Sequence, residues 1–272
     1  SPDWTVMPTQ HGFAEVNGTR LYYEAAGAGM ALALVHGFSL DTRMWDDQFE
    51  AFAQHYRVVR YDARGFGKSA LPGSEKYLHA ADLMALLEHL EIDRAAILGL
   101  SMGGGIAIDF ALTYPEATRA LIPVDSALGG YRWSPAWEAS YAPIPARGQA
   151  GDITGAKKLW LAHPFFEPAM ANPAVAARLT QIVSDYSGWH WGNADPGRGA
   201  RPPAVERLDQ IRVPTLIVVG ERDLPDLHRT AEALQQGMPN AQKVILRGAG
   251  HMANMEAPQK FNEVVLSFLA AI

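Results

Sequence analysis

Residues 99–103 read Gly-Leu-Ser-Met-Gly, with glycine two places before and two places after Ser101. A serine hydroxyl is a weak nucleophile until a neighbouring base takes its proton. The pattern therefore carries chemistry only if the chain also supplies a base, an acid to orient it, and donors for a developing oxyanion. The surroundings favour that role. Residues 95–98 are a short apolar run that reads as a buried strand, and residues 102–114 read as a helix ended by Pro115. On such a strand-to-helix turn the hydroxyl is exposed at the strand's end. The free N–H groups and dipole of the following helix favour negative charge there.

Nine histidines compete for the part of base. His251 follows a strand-like run, 244–246, through Gly248-Ala249-Gly250, which puts it on a loop at the same sheet edge as Ser101. His79 and His89 fall in a helical pattern, His163 and His190 in an irregular central segment, and His11, His55 and His228 in no comparable setting. Asp223 follows the run 216–219 through Gly220-Glu221-Arg222 and is the candidate acid. A carboxylate there accepts the Nδ1–H of the histidine and leaves Nε2 free for the serine proton. Asp125, at the end of the run 120–124, is its rival. The candidate oxyanion donors are the backbone N–H groups of Met102 and of Phe38, the latter on the turn His36-Gly37-Phe38 after the run 31–35. His36 reads as a residue that shapes this turn.

These positions make sense only if strands carry them. Asn17-Gly18, between the apolar residues Phe13, Val16, Leu21 and Tyr23, predicts an opening antiparallel hairpin, because both turn residues must take φ > 0. Apolar runs at 31–35, 58–61, 95–98, 120–124, 216–219 and 244–246 then read as buried strands. Leu83, Leu86, Leu87 and Leu90 recur at helical spacing, as do Phe261, Val264, Val265, Phe268 and Leu269 after Pro258. Alternation of strand and helix predicts an α/β fold, a mostly parallel sheet with helices on both faces.

Residues 127–203 break that rhythm. They are rich in Trp, Pro, Gly and Ala, contain no clear strand, and are too long for a loop and too apolar for a linker. The expectation is a helical lid inserted into a core made of 1–126 and 204–272, with Trp133, Trp137, Trp160 and Trp189 facing an apolar or aromatic substrate. The alternative is a second packing layer in which the tryptophans are simply core.

Composition narrows the function classes. The chain has 272 residues, 48% of them apolar, enough for one large domain. The net charge of −6 comes without a Lys/Arg cluster, which argues against nucleic acid, and no apolar run approaches the length of a membrane span. With no cysteine, thiolate metal sites and a cysteine nucleophile are excluded. Histidine spacing shows no H-x-H or H-E-x-x-H, so no metal is expected. Gly67-Lys68-Ser69 imitates the end of a phosphate-binding loop, but the required first glycine would fall at Asp62. Gly27-Ala28-Gly29 precedes a strand rather than following one, so it reads as a turn and not a dinucleotide loop. The opening residues lack the charged-then-apolar pattern of a signal peptide, and a cytoplasmic protein is the expectation.

Taken together, His36-Gly37-Phe38, the run Asp62 to Ser69, the glycine turn around Ser101, Gly220 to Asp223 and Gly250-His251 resemble the α/β-hydrolase superfamily over essentially the whole chain. Within it, the sequence is most similar to small carboxylesterases and 3-oxoadipate enol-lactonase-like hydrolases. That resemblance implies hydrolysis of a small-molecule ester or lactone without a cofactor. Perhydrolase or cofactor-free haloperoxidase chemistry, carbon–carbon bond hydrolysis, and a non-catalytic small-molecule receptor are the other readings. A serine at 101 argues against haloalkane dehalogenase and epoxide hydrolase chemistry, for which related enzymes use an aspartate nucleophile.

Overall fold

The computed structural model describes residues 9–272. The first eight residues, on which the signal-peptide expectation partly rests, lie outside the described part. The chain opens with β1 (Gln10–Val16) and β2 (Thr19–Ala26), joined by Asn17 and Gly18 at φ 48° and 71°. Both turn residues thus take the positive φ that a two-residue hairpin requires. There follow β3 (Ala31–Val35), β4 (Arg57–Tyr61), β5 (Tyr77–Leu78), β6 (Ala95–Leu100), β7 (Thr118–Val124), β8 (Gly197–Arg198), β9 (Thr215–Gly220) and β10 (Ala241–Leu246).

Eight strands form one sheet in the order β1-β2-β4-β3-β6-β7-β9-β10. β2 runs antiparallel to both its neighbours, and every other pairing is parallel. Every residue of β3, β6 and β9 is buried, as expected of strands covered on both faces. β10 departs from the sequence expectation of a buried strand. It is an edge strand, and Ile245 is 47% exposed. Helices Asp46–Ala53 and Pro258–Ala270 pack together on one side of the sheet, and His79–His89 and Met102–Thr113 on the other. Pro258 occupies the first turn of its helix, where its missing N–H costs nothing.

A parallel sheet puts the carboxyl ends of its strands along one edge. The turns after β3, β6, β7, β9 and β10 therefore bring residues 36–38, 101, 125, 223 and 251 to that edge. Between β7 and β9 the chain leaves the sheet and forms six α-helices, from Pro135–Tyr141 to Trp189–Gly192. One correction applies to this segment. It holds a short strand, β8, which pairs in parallel with β5 in a separate two-stranded sheet. Two residues are too few to register as a periodic pattern.

Candidate active site

Ser101 is the hinge between β6 and the helix Met102–Thr113, with φ 56° and ψ −116°. That region is costly for a residue with a Cβ, on the order of 1–3 kcal/mol, and persists only where the surroundings over-determine it. Here they do. Ser101 N–H donates to Val124 O at 2.9 Å, and Ser101 O accepts from Gly105 N at 3.1 Å and from Ala127 N at 3.0 Å. Gly103 makes the turn possible, since a Cβ on it would run into the Val35 and His36 carbonyl oxygens.

The other two groups arrive from adjacent loops. Ser101 Oγ lies 3.0 Å from His251 Nε2, and His251 Nδ1 lies 2.8 Å from Asp223 Oδ2. Asp223 Oδ1 accepts from Leu224 N at 2.7 Å. His251 and Asp223 are buried, while Ser101 is half-buried and lines a cavity. The loops after β9 and β10 touch backbone to backbone, because a Cβ on Gly220 would meet Gly250 O. Asp125 also comes to this edge, but its Oδ1 accepts from Gly220 N at 2.7 Å.

Phe38 and Met102 line the same cavity as Ser101. Neither backbone N–H donates to another group among the described residues. His36, fully buried, shapes the turn between them. Its Nδ1–H donates to Gly37 O at 2.7 Å, and its Nε2 accepts from Ala63 N at 2.9 Å. Burial lowers its pKa, so it keeps the neutral form that can donate and accept at once. Asp62 supports the same turn, its two oxygens accepting from Thr42 N at 2.8 Å and Lys68 N at 2.9 Å. Gly67-Lys68-Ser69 is thus a turn folded onto Asp62.

The cavity has a volume of about 410 Å³. Trp133, Trp137, Tyr141, Trp160, Phe165 and Phe166 wall one part of it, and His79, Asp109 and Arg198 contribute polar groups. Of the tryptophans expected to face a substrate, Trp189 is not in this wall. It packs edge-on against His190, with ring centroids 4.9 Å apart. A tryptophan count cannot tell which face of a short helix each ring occupies.

Sequence reasoning missed three supports. Phe165 stacks on the His251 imidazole, with centroids 3.9 Å apart and planes at 16°. Glu256 accepts from Gly250 N at 2.8 Å and Met252 N at 2.9 Å, which fixes the turn that carries His251. Trp160 Nε1 donates to Ser39 Oγ at 2.7 Å, tying the helical segment to the residue after Phe38. Only Glu256 had a readable signal, an acid five residues after a loop histidine.

Asp125, Asp223 and His251 also have the make-up of a metal-binding group, with one ligand-type atom from each lying within 4.8 Å of the others. Both nitrogens of His251 are already paired, to Asp223 and Ser101, which leaves no ring lone pair for a cation.

Residues 31–258 match the family model for the alpha/beta hydrolase fold. The chain belongs to that family. Among relatives of this alpha/beta hydrolase is a 2-hydroxy-6-oxononadienedioate/2-hydroxy-6-oxononatrienedioate hydrolase of Paraburkholderia xenovorans. It is 30% identical over 271 residues, covering 92% of this chain and 91% of its own. A 3-oxoadipate enol-lactonase of Acinetobacter baylyi is 29% identical over 258 residues, covering 94% and 95%. A thermophilic esterase of Thermogutta terrifontis superposes with a TM-score of 0.83 at 27% identity, covering 96% of this chain and 98% of its own. The alpha/beta hydrolase described here is accordingly a hydrolase, and a small-molecule substrate is consistent with these relatives. Among its described residues, no helix is long and apolar enough to cross a membrane.

Proposed function

We propose that this alpha/beta hydrolase cleaves a carboxylic ester or lactone of a small apolar or aromatic substrate through an acyl-enzyme. One observation carries the reading: a strained serine hydroxyl 3.0 Å from an imidazole whose other nitrogen is 2.8 Å from a buried carboxylate, on the wall of an aromatic cavity. His251 takes the Ser101 proton as Oγ attacks the carbonyl carbon. The N–H groups of Phe38 and Met102 stabilise the oxyanion, and Asp223 stabilises the imidazolium. His251 then gives its proton to the leaving alcohol. Water, deprotonated by His251, releases the acid and restores Ser101. Residues 127–203 act as the lid over this site, with Trp133, Trp137 and Trp160 as substrate contacts.

Carbon–carbon bond hydrolysis is the second reading, favoured by the dioate hydrolase at 30% identity. A dioate carries two carboxylates. Among the described wall residues Arg198 is the one lysine or arginine, and Asp109 bonds to Ala200 two residues further on. A cavity so short of positive charge suits a neutral ester better.

Intact-mass spectrometry after incubation with a fluorophosphonate tests the nucleophile. A single adduct on Ser101, absent from Ser101→Ala, is expected. No adduct would remove the acyl-enzyme reading and bring the receptor reading forward. A panel of p-nitrophenyl esters, lactones and vinylogous ketones, compared by kcat/KM, then decides between the two chemistries. Asp223→Asn should lower kcat by about 10⁴.

A further inference from the structure

Asp125 has a buried carboxyl that the proposed reaction does not use. It sits at the end of β7 with φ 42° and is 1% exposed. Its Oδ1 accepts from Gly220 N, at the root of the loop that carries Asp223. Its Oδ2 is buried and has no hydrogen-bond partner among the described residues. Asp223 is its neighbour, and an oxygen from each lies within 4.8 Å of the other and of a His251 nitrogen.

Two buried carboxylates side by side cannot both be ionised. Their partners decide which one keeps the proton. Asp223 receives two N–H donors, from His251 Nδ1 at 2.8 Å and Leu224 N at 2.7 Å. Asp125 receives one, and among the described residues no arginine or lysine pairs with either. The titratable groups around Asp125 are Asp223 on the loop after β9 and Glu256 on the helix after His251, both acidic, and the His251 imidazole on the loop after β10. Burial first, and then the charge of Asp223, push the Asp125 carboxyl well above the usual carboxylate range.

We propose that Asp125 is a neutral carboxylic acid whose Oδ2–H donates to the Asp223 carboxylate, making it a positioning residue for the triad acid. This rests on the triad reading above. The bond explains the orphaned oxygen and leaves one negative charge, not two, beside His251. It also gives Asp223 a third donor, so the carboxylate is held from β7 as well as from its own loop. The Gly220 N–H bond ties the same carboxyl to the base of that loop.

Asparagine is the neutral mimic of a protonated aspartate, so Asp125→Asn and Asp125→Ala separate the alternatives. In Asp125→Asn, kcat/KM on p-nitrophenyl acetate should stay within about 3-fold of the parent and the acidic limb of its pH profile should not move. In Asp125→Ala, kcat should fall about 10- to 100-fold with KM little changed, because a hydrogen bond to a buried charge is lost. The acidic limb should move to higher pH, since a less solvated Asp223 holds the imidazolium more strongly. An infrared difference spectrum of Ser101→Ala against Ser101→Ala/Asp125→Asn at pH 7 should show a carboxylic-acid C=O band lost with Asp125. This arm needs no turnover, so it decides the protonation state even if ester cleavage fails. A downward shift of about one pH unit in Asp125→Asn would mean that Asp125 is ionised, and the proposal would fall. Absence of the acid band, or loss of activity in EDTA through a cation between the carboxylates, would overturn it equally.

Discussion

On the sheet side of the cavity, Ser101, Asp223 and His251 stand on turns whose backbone groups are held by hydrogen bonds. Ser101 is bonded to Val124, Gly105 and Ala127, Asp125 to Gly220, and Glu256 to Gly250 and Met252. On the helical side the wall is built from side chains. Trp137 stacks between Trp133 and Tyr141, with centroids 4.3 Å and 5.0 Å away, and Trp160 meets Phe166 edge-on at 4.9 Å. Hydrogen bonds to the backbone of a rigid sheet position an atom to fractions of an ångström, as the proposed proton transfer requires. Aromatic contacts tolerate shifts and exchange, as the proposed substrate wall requires. Contacts that join the two sides include the Phe165 ring on His251 and the Trp160 N–H bond to Ser39.

Substitutions can break this contrast. The largest effect is expected at Ser101→Ala, a loss of about 10⁶ in kcat with an unchanged melting temperature. If a tryptophan substitution on the helical side cost as much, the division into chemistry and binding would be wrong. The meeting points come next. Trp160→Phe keeps an aromatic ring but removes the bond to Ser39, so the Phe38 turn loosens, and kcat should drop about 10- to 100-fold. An effect confined to KM would make Trp160 a substrate contact only. Phe165→Ala should lower kcat about 10-fold through a less restrained imidazole. On the wall itself, Trp137→Ala should leave kcat/KM for acetate esters within about 3-fold and lower it about 10-fold for aromatic acyl esters, as apolar contact is lost.

The smallest effect tests how the helical side is held. His163 Nδ1 accepts from Phe165 N at 3.1 Å, its Nε2–H donates to Ser140 Oγ at 2.9 Å, and burial lowers its pKa to about 4. The unfolded chain, with histidine near 6.5, binds more protons between these values, so this contribution to stability is complete above about pH 6.5 and is lost as the pH falls toward 4. His163→Asn keeps a neutral acceptor that does not titrate. The melting-temperature advantage of the parent over this variant should therefore shrink between pH 6.5 and 4.5. A constant or growing advantage would show that His163 is not held neutral.

Much of the sheet side was legible because its signals are local. Asn17-Gly18 needs positive φ, strands covered on both faces need unbroken apolar runs, and a strand-to-helix serine turn needs small neighbours. Parallel strands then carry their loops to one edge, so strand direction alone groups residues far apart in sequence. The helical side was far less legible. Its residues could be assigned to a segment outside the strand–helix alternation, but short helices that begin at Pro135, Pro143 and Pro164 have no periodicity long enough to show which face turns inward. Hence Trp189, expected in the cavity wall, lies outside it, and Phe165 was not singled out at all.

The chain by itself determined the fold class and the edge where Ser101, Asp223 and His251 gather, because each follows from backbone preference and strand direction. Tertiary structure decided between the two candidate carboxylates, placing Asp223 against His251. Asp125 and Asp223 both follow parallel strands, and the sequence, which favours Asp223, leaves Asp125 as its rival. The backbone of Gly220 occupies Asp125, while the side chain of Asp223 reaches the imidazole. Contacts between loops that are distant in sequence make that choice, and no local pattern encodes them.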